Sequence, residues 1–267
     1  MVIHDQIGRF LELSTVPKRI ISLVPSQTEL LVDLGLESSL VGVTKFCIHP
    51  SHIKNNVQIV GGTKNIKLDV IRALNPDIIL CNKEENIKEI VEVCEQVCPV
   101  HVSDIFTIAD ALQLISMYGD MFNVNKQASK MIEFIKTEQS DFERYCKTQK
   151  TLRVAYFIWK EPWMVAGGNN FINHLLELNK YENVFKTQPR YPEIDINKLK
   201  KENIDVLFLS SEPYPFKEKH VEEIATRLNN KIVVKIIDGE MFSWYGSRLK
   251  KAFGYFKELR NNLEVTI

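Results

Sequence analysis

The chain has 267 residues, 45% apolar and 25% charged, with 34 Lys+Arg balanced by 34 Asp+Glu. That length fits one large domain or two smaller lobes, and the balance lacks the basic excess that a nucleic acid or an anionic membrane surface attracts. No apolar run is long enough to insert across a bilayer.

The opening MVIHDQIGRFLELSTVPKRI has no basic n-region and no apolar h-region, so it does not read as a secretory signal. The sequence as written therefore reads as cytoplasmic, or as periplasmic or cell-surface if a leader was removed. Short apolar runs follow at 19–24, 41–44, 77–81, 99–102, 153–158, 205–210 and 231–237, as suits parallel strands covered on both faces. Helical stripes separate them. Ser26 and Glu29 in SQTE predict a capping box on the first helix. Ile87, Ile90, Val91, Cys94 and Cys98 line one face of 86–98; Val221, Ile224, Ala225 and Leu228 line 218–229; Leu249, Ala252, Phe253, Phe256 and Leu259 line 247–260.

Residues 123–150 contain no Gly or Pro and carry apolar residues at Ala128, Met131, Ile132, Ile135, Phe142 and Tyr145. They predict one helix of about 25 residues, roughly 37 Å long. The segments on either side repeat: KRIISLVPSQTELLVDLG corresponds to LRVAYFIWKEPWMVAGGNNFINHLLELN, and LDVIRALNPDIILCNKEEN to INKLKKENIDVLFLSSEPY. The counterparts lie about 130 residues apart, and each turn before the second strand ends in Asp, Asp77 or Asp205. The predicted fold is α/β: two Rossmann-like lobes, 1–122 and 151–267, joined by a backbone helix at 123–150. A ligand cleft is expected between them, where the loops beyond the strand ends meet.

Those loops gather aromatics: Phe46, Trp159, Trp163, Tyr191, Tyr214, Phe216, Phe242, Trp244 and Tyr245, which include all three tryptophans. The stretch GEMFSWYGSR, 239–248, supplies three of them and reads as one wall of the cleft. Polar candidates are Lys45, Lys64, Lys83, Glu84, Glu85, Glu212 and Arg248, the last at a helix start suited to an anion. KFCIHP adds a Cys47/His49 pair as candidate metal ligands, or as contacts to a metal carried by a ligand. Cys94 and Cys98, four apart on a helix, are a second geometric option. With Cys81 and Cys146 the cysteine count is odd and follows no disulfide or zinc-ribbon spacing. VAGGNN lacks dinucleotide-binding spacing, and no P-loop or nucleophile–base–orienter set is found.

On the strength of RIISLVPSQTELLVDLG, VGVTKFCIHP, IRALNPDIIL, INHLLELNKYENVF and FSWYGSRL, in that order, the chain resembles the helical-backbone (class III) substrate-binding proteins of ABC importers. This family binds cobalamin, ferric siderophores and haem, and the cobalamin branch is the most similar. The resemblance runs from about Pro17 to the C-terminus. It implies a non-enzymatic, monomeric protein with no cofactor of its own, whose ligand brings its own cobalt or iron. It implies no nucleic-acid partner, and a ligand held by Phe46, Trp159, Tyr191, Phe242, Trp244 and Arg248. It also implies docking to an importer permease through one acid per lobe, matched by Asp69 but by Asn197 in the second lobe. The alternative is a leaderless cytoplasmic relative acting as a corrinoid or metal-chelate enzyme, chaperone or sensor. A ligand-facing Trp244 would make Trp244→Ala costly to binding and nearly neutral to stability.

Overall fold

A computed structural model describes residues 1–229 and 232–264. The chain forms two compact units. The first comprises Met1–Ile105, Ala109–Ile135 and Tyr245–Arg248; the second comprises Phe106–Ile108, Lys136–Trp244 and the chain from Leu249.

In the first unit a hairpin of β1 (Val2–His4) and β2 (Phe10–Glu12) precedes β3 (Ile20–Ser22), α1 (Pro25–Asp33), β4 (Leu40–Val43), α2 (Ile53–Asn56) and β5 (Gln58–Ile59). Then come α3 (Leu68–Ala73), β6 (Ile78–Asn82), α4 (Lys88–Glu95), β7 (Val100–Ser103) and α5 (Ile108–Met121). The main sheet is parallel, in the order β5-β4-β3-β6-β7. The hairpin was not expected from the sequence. Its loop is tied to β7: Gln6 N–H donates to the Val102 carbonyl at 3.3 Å, and Arg9 Nη2 to Val100 at 2.7 Å. Ile21, Val60, Ile79, Cys81, Ile90, Val91 and Cys94 form the core on one face of the main sheet.

Helix α6 (Asn125–Lys147) is continuous over 23 residues, about 35 Å at the usual rise. Its residues to Ile135 count with the first unit and those from Lys136 with the second. The second unit continues with β8 (Leu152–Trp159), β9 (Met164–Val165), α7 (Phe171–Leu178) and β10 (Tyr181–Asn183). It is completed by β11 (Val206–Ser210), α8 (Glu218–Arg227), β12 (Val233–Ile237), α9 (Gly239–Ser243) and α10 (Leu249–Glu264). Lys231, the first residue of the predicted strand 231–237, lies outside the described residues, as do 265–267 at the end of the predicted second lobe. The sheet order is β10-β8-β11-β12, parallel, with β9 antiparallel to β8. This repeats the β4-β3-β6-β7 order of the first unit. No helix among the described residues is long and apolar enough to cross a membrane.

The internal repeat extends to hydrogen bonds. Asp77 Oδ2 accepts the Arg19 N–H at 2.9 Å, and Asp205 Oδ2 accepts the Arg153 N–H at 2.7 Å. Each arginine turns its Nε to carbonyls of the turn before the aspartate, Leu74 and Asn75 in one unit and Asn203 in the other. These bonds fix where β6 starts beside β3 and where β11 starts beside β8. In VAGGNN, a Cβ at Gly167 or Gly168 would lie 2.1 Å from the Gln188 carbonyl oxygen or 2.2 Å from that of Lys186. The glycines admit a crossing chain, which no side chain would allow.

The predicted capping box is not formed. Val24 is the N-cap and makes no side-chain cap, and Pro25 occupies the first turn, where its missing N–H costs nothing. Glu29 is taken by a tertiary ion pair, described below.

His101 on β7 is fully buried with its ring edge-on to Tyr118, centroids 5.5 Å apart. Burial, aided by Arg9 and opposed by Asp5, lowers its pKa from 6.5 to about 4. The unfolded chain therefore takes up a proton that the folded chain refuses. The stability contributed by the neutral ring is intact above pH 6.5 and is lost as pH falls toward 4, by about 3 kcal/mol in total. Urea titrations between those pH values should show this slope, and His101→Phe should flatten it.

Candidate functional site

The parallel topology puts the loops after β3, β4, β5 and β6 at one edge of the first sheet. Three are stitched together. Lys45 N–H donates to the Gly61 carbonyl at 2.8 Å, Lys64 Nζ to the Glu84 carbonyl at 2.8 Å, and Asn86 Nδ2 to the Thr63 carbonyl at 3.0 Å. Phe46 stands on this edge with half of its surface exposed, and Lys45 Nζ lies 5.0 Å from its ring centroid. Lys83 Nζ pairs with Asp104 at 2.5 Å. Glu84 and Glu85 are half-buried in the same loop.

Beneath the edge lies a buried polar network. Gln27 Nε2 donates to Ser103 Oγ at 2.6 Å and to Tyr245 Oη at 3.1 Å, and Gln27 Oε1 accepts from Tyr118 Oη at 2.7 Å. Asn82 Nδ2 donates to Ser103 Oγ at 3.0 Å. Burial raises the Tyr118 and Tyr245 phenols, so both stay protonated, Tyr118 donating to the Gln27 amide and Tyr245 accepting from it. Arg248 Nε donates to Glu29 Oε2 at 3.0 Å, both side chains being about nine-tenths buried or more.

In the second unit the loops after β8 and β11 carry one aromatic cluster. Trp163 stacks on Phe216 with planes 9° apart and centroids 6.3 Å apart; Trp159 meets Tyr214 edge-on at 5.5 Å. Tyr214 also meets Phe216 at 4.7 Å. Trp159 remains 39% exposed, Trp163 and Tyr214 are half-buried, and Phe216 is buried. Lys160 Nζ lies 5.4 Å from the Trp163 centroid and pairs with Glu223 at 2.5 Å. Tyr191, half-buried, sits in a loop pinned to the strand region by Val165 N–H to the Pro192 carbonyl at 3.1 Å. A cavity of about 580 Å³ opens beside that loop, lined by Phe106, Asn169, His174, Glu177 and Arg190 among others. Arg190 Cζ stands 5.2 Å from the Phe106 centroid. The sequence reading did not single out Phe106, Asn169 or Arg190.

The aromatic stretch 239–248 is not the exposed wall expected of it. Phe242 has no exposed surface and packs against Tyr156 at 5.5 Å, Phe208 at 6.4 Å and Phe256 at 4.6 Å. Trp244 is 7% exposed and hydrogen-bonds Glu212. Burial raises the Glu212 carboxyl, while the Trp244 and Ser243 bonds hold it down. Tyr245 and Arg248 are committed to the first unit's interior. The reason is local: α9 turns Phe242 inward, and the next residues are drawn to Gln27 and Glu29.

The metal pair is corrected as well. Cys47 is wholly buried, its Sγ 3.1 Å from Thr28 Oγ1 and 3.3 Å from Thr44 Oγ1, so it belongs to the core under its loop. Burial raises its thiol, and it raises Cys94 to about 11 and Cys98 to about 12. His49 is half-buried. Among the described residues no three His, Cys, Asp or Glu side chains gather to hold a metal ion.

Of the docking positions, Asp69 is fully exposed in the first turn of α3, 3.8 Å from Arg72. Asn197 is exposed in a 3-10 turn capped by Asp195, whose Oδ1 accepts the Asn197 N–H at 3.0 Å.

Trp244→Ala should cost about 3–5 kcal/mol in denaturant titration, as truncation of a buried aromatic does. Arg248→Met should cost about as much by taking the guanidinium away from the buried Glu29 carboxylate, and adding Glu29→Gln should restore most of the loss.

A family model described as "Periplasmic binding protein" matches residues 20–229. Among curated relatives, an uncharacterized ABC transporter substrate-binding lipoprotein of Bacillus subtilis, YvrC, is 24% identical, the match covering 78% of this chain and 68% of the relative. The vitamin B12-binding protein of Vibrio campbellii is 28% identical over 72% of this chain and 70% of its own. Among solved structures, a periplasmic haem-binding protein from Pseudomonas aeruginosa superposes with TM-score 0.79 at 19% identity, covering 91% of this chain and 92% of that one.

Proposed function

This chain belongs to the periplasmic binding protein family, and we propose that it binds a metal chelate — a corrinoid such as cobalamin, a ferric siderophore or haem — for delivery to an ABC importer. The observation that carries the reading is a pair of exposed aromatic rings. Phe46 and Trp159 are 50% and 39% exposed, each beyond or at the carboxyl end of an interior parallel strand. Each ring offers a stacking face, and a macrocycle or a bundle of chelating arms is a partner that would use it. The names of the relatives support the same ligand class.

We read the protein as a carrier without turnover. Burial raises the thiols of Cys47, Cys81, Cys94, Cys98 and Cys146, which removes them as nucleophiles near neutral pH. The ligand brings its own metal, cobalt or iron. Feeding an importer places the protein on the outer side of the cytoplasmic membrane. The permease would meet Asp69 on the first unit; on the second, where Asn197 stands, the exposed carboxylates at the two ends of that turn are Asp195 and Glu202.

Titration with cobalamin, cobinamide, haem and a ferric siderophore, followed by tryptophan fluorescence, should give saturable quenching with at least one of them at about micromolar concentration or below. Phe46→Ala and Trp159→Ala should each weaken that binding about tenfold while moving stability by about 0.5 kcal/mol or less. Flat titrations with all four ligands would refute the reading.

A further inference from the structure

The β1–β2 hairpin takes no part in the chelate-binding reading, and it leaves one strand edge open. Leu13 N–H donates to the Met1 carbonyl at 2.8 Å and Asp5 N–H to the Arg9 carbonyl at 3.0 Å, with Ile3 opposite Leu11 between them. Bonded and non-bonded pairs alternate in an antiparallel ladder, so Phe10 and Glu12 turn their N–H and C=O groups away from β1. No strand stands on that side, because β2 pairs with β1 alone. A groove of about 410 Å³ is lined by Arg9 and the whole of β2, and by Glu95, Cys98, Pro99 and Val100. Consecutive residues of β2 line it although they alternate between two faces, so the groove runs along the strand's open edge. Val100 opens β7, which puts the groove at the amino end of the strands, away from the loop that carries Phe46.

Sheet edges are normally blunted by lysine, by proline or by a covering loop. The outer edge of β7 follows that rule: Gln6 and Arg9 take its carbonyls, and the Val102 N–H goes to Asp5 Oδ2 at 3.3 Å. β2, which reads FLE, does not. Phe10 is 70% exposed, its ring braced by His4 with centroids 4.0 Å apart. The edge is also acidic. Arg9 is shared between Asp5, whose Oδ2 accepts from Nε at 2.8 Å, and Glu95. Glu12 is exposed and has no ion-pair partner among the described residues. Three carboxylates on these segments therefore meet one guanidinium.

We propose that the β2 edge is a docking site for an extended segment of another protein that alternates apolar residues with lysine or arginine. The segment adds a third strand to the hairpin and takes the outward N–H and C=O groups of Phe10 and Glu12. One of its apolar side chains lies across from the Phe10 ring, and a cation on the same face pairs with Glu12.

The test titrates the full chain with fluorescein-labelled Val-Lys-Val-Lys-Val-Lys by fluorescence anisotropy. The controls are the same peptide with glutamate for lysine and one with proline for valine. The lysine–valine peptide should saturate with a Kd of about 100 µM or below. Each control should bind about tenfold more weakly or worse, the first for its charge and the second for its missing N–H groups. Glu12→Gln should weaken the lysine–valine peptide about threefold, and Phe10→Ala about fivefold. The chelate titration should be unchanged in both variants. Amide exchange distinguishes an added strand from a loose electrostatic contact. The peptide should protect the Phe10 and Glu12 amides, while the Leu11 amide, already bonded within the hairpin, should change little. No saturation, equal binding of the lysine and glutamate peptides, or binding that leaves both amides unprotected overturns the proposal. So does protection of those amides without peptide in a chain that sediments as a dimer, which gives the edge to a second copy.

Discussion

The amide of Gln27 is the constraint on which the first unit depends. Sealed from water at the start of α1, it reaches Ser103 at the end of β7, Tyr118 on α5 and Tyr245, which arrives from far along the chain. Asn82, at the end of β6, joins through the shared Ser103 hydroxyl. Every partner is itself buried, so no one bond can be given up for water. Leaving one such group unsatisfied costs about 1–3 kcal/mol, and connected polar groups fail together. The network therefore sets the ends of two strands and one helix against one another, and the ordered edge loops stand on that footing.

Much of this architecture is legible in the sequence, for a physical reason. Parallel strands buried on both faces must be continuous apolar runs, and IILCN and VLFLS are wholly buried as such runs should be. The α10 stripe, from Leu249 to Leu259, is buried at each expected position. Asp77 and Asp205 mark the repeat because each accepts backbone N–H groups at the same point of its unit. The β1–β2 hairpin escapes such a reading: its strands are three residues long, and it is held by bonds to β7 that no local pattern encodes. SQTE fails for a similar reason, since the glutamate of a capping box is also a free carboxylate, and Arg248 claims it from 219 positions away.

Composition locates the site loops but not the direction of their side chains. Phe46 and Phe242 look alike in sequence, each an aromatic in a polar loop after a strand. Gly62 holds one ring outside, while Tyr156, Phe208 and Phe256 enclose the other. Cys47 sits next to the exposed Phe46 and points the opposite way, into the Thr28 and Thr44 hydroxyls. Loops alternate their side chains between interior and surface much as strands do, and only the three-dimensional neighbours say which is which.

Tyr245–Arg248 belongs to the first unit, although the chain on both sides of it belongs to the second. This has a consequence for synthesis. A ribosome delivers the strands of the first unit by residue 103, yet Tyr245 and Arg248, one partner each of Gln27 and Glu29, emerge only after 218 and 219 further positions. Contacts of that separation close late, because a long loop must be ordered before they form. The nascent first unit lacks these two bonds until residue 248 has been made. A gene fragment ending before Tyr245 encodes the first unit's sheet but not all of its interior, so cutting this chain at its apparent midpoint does not yield two domains.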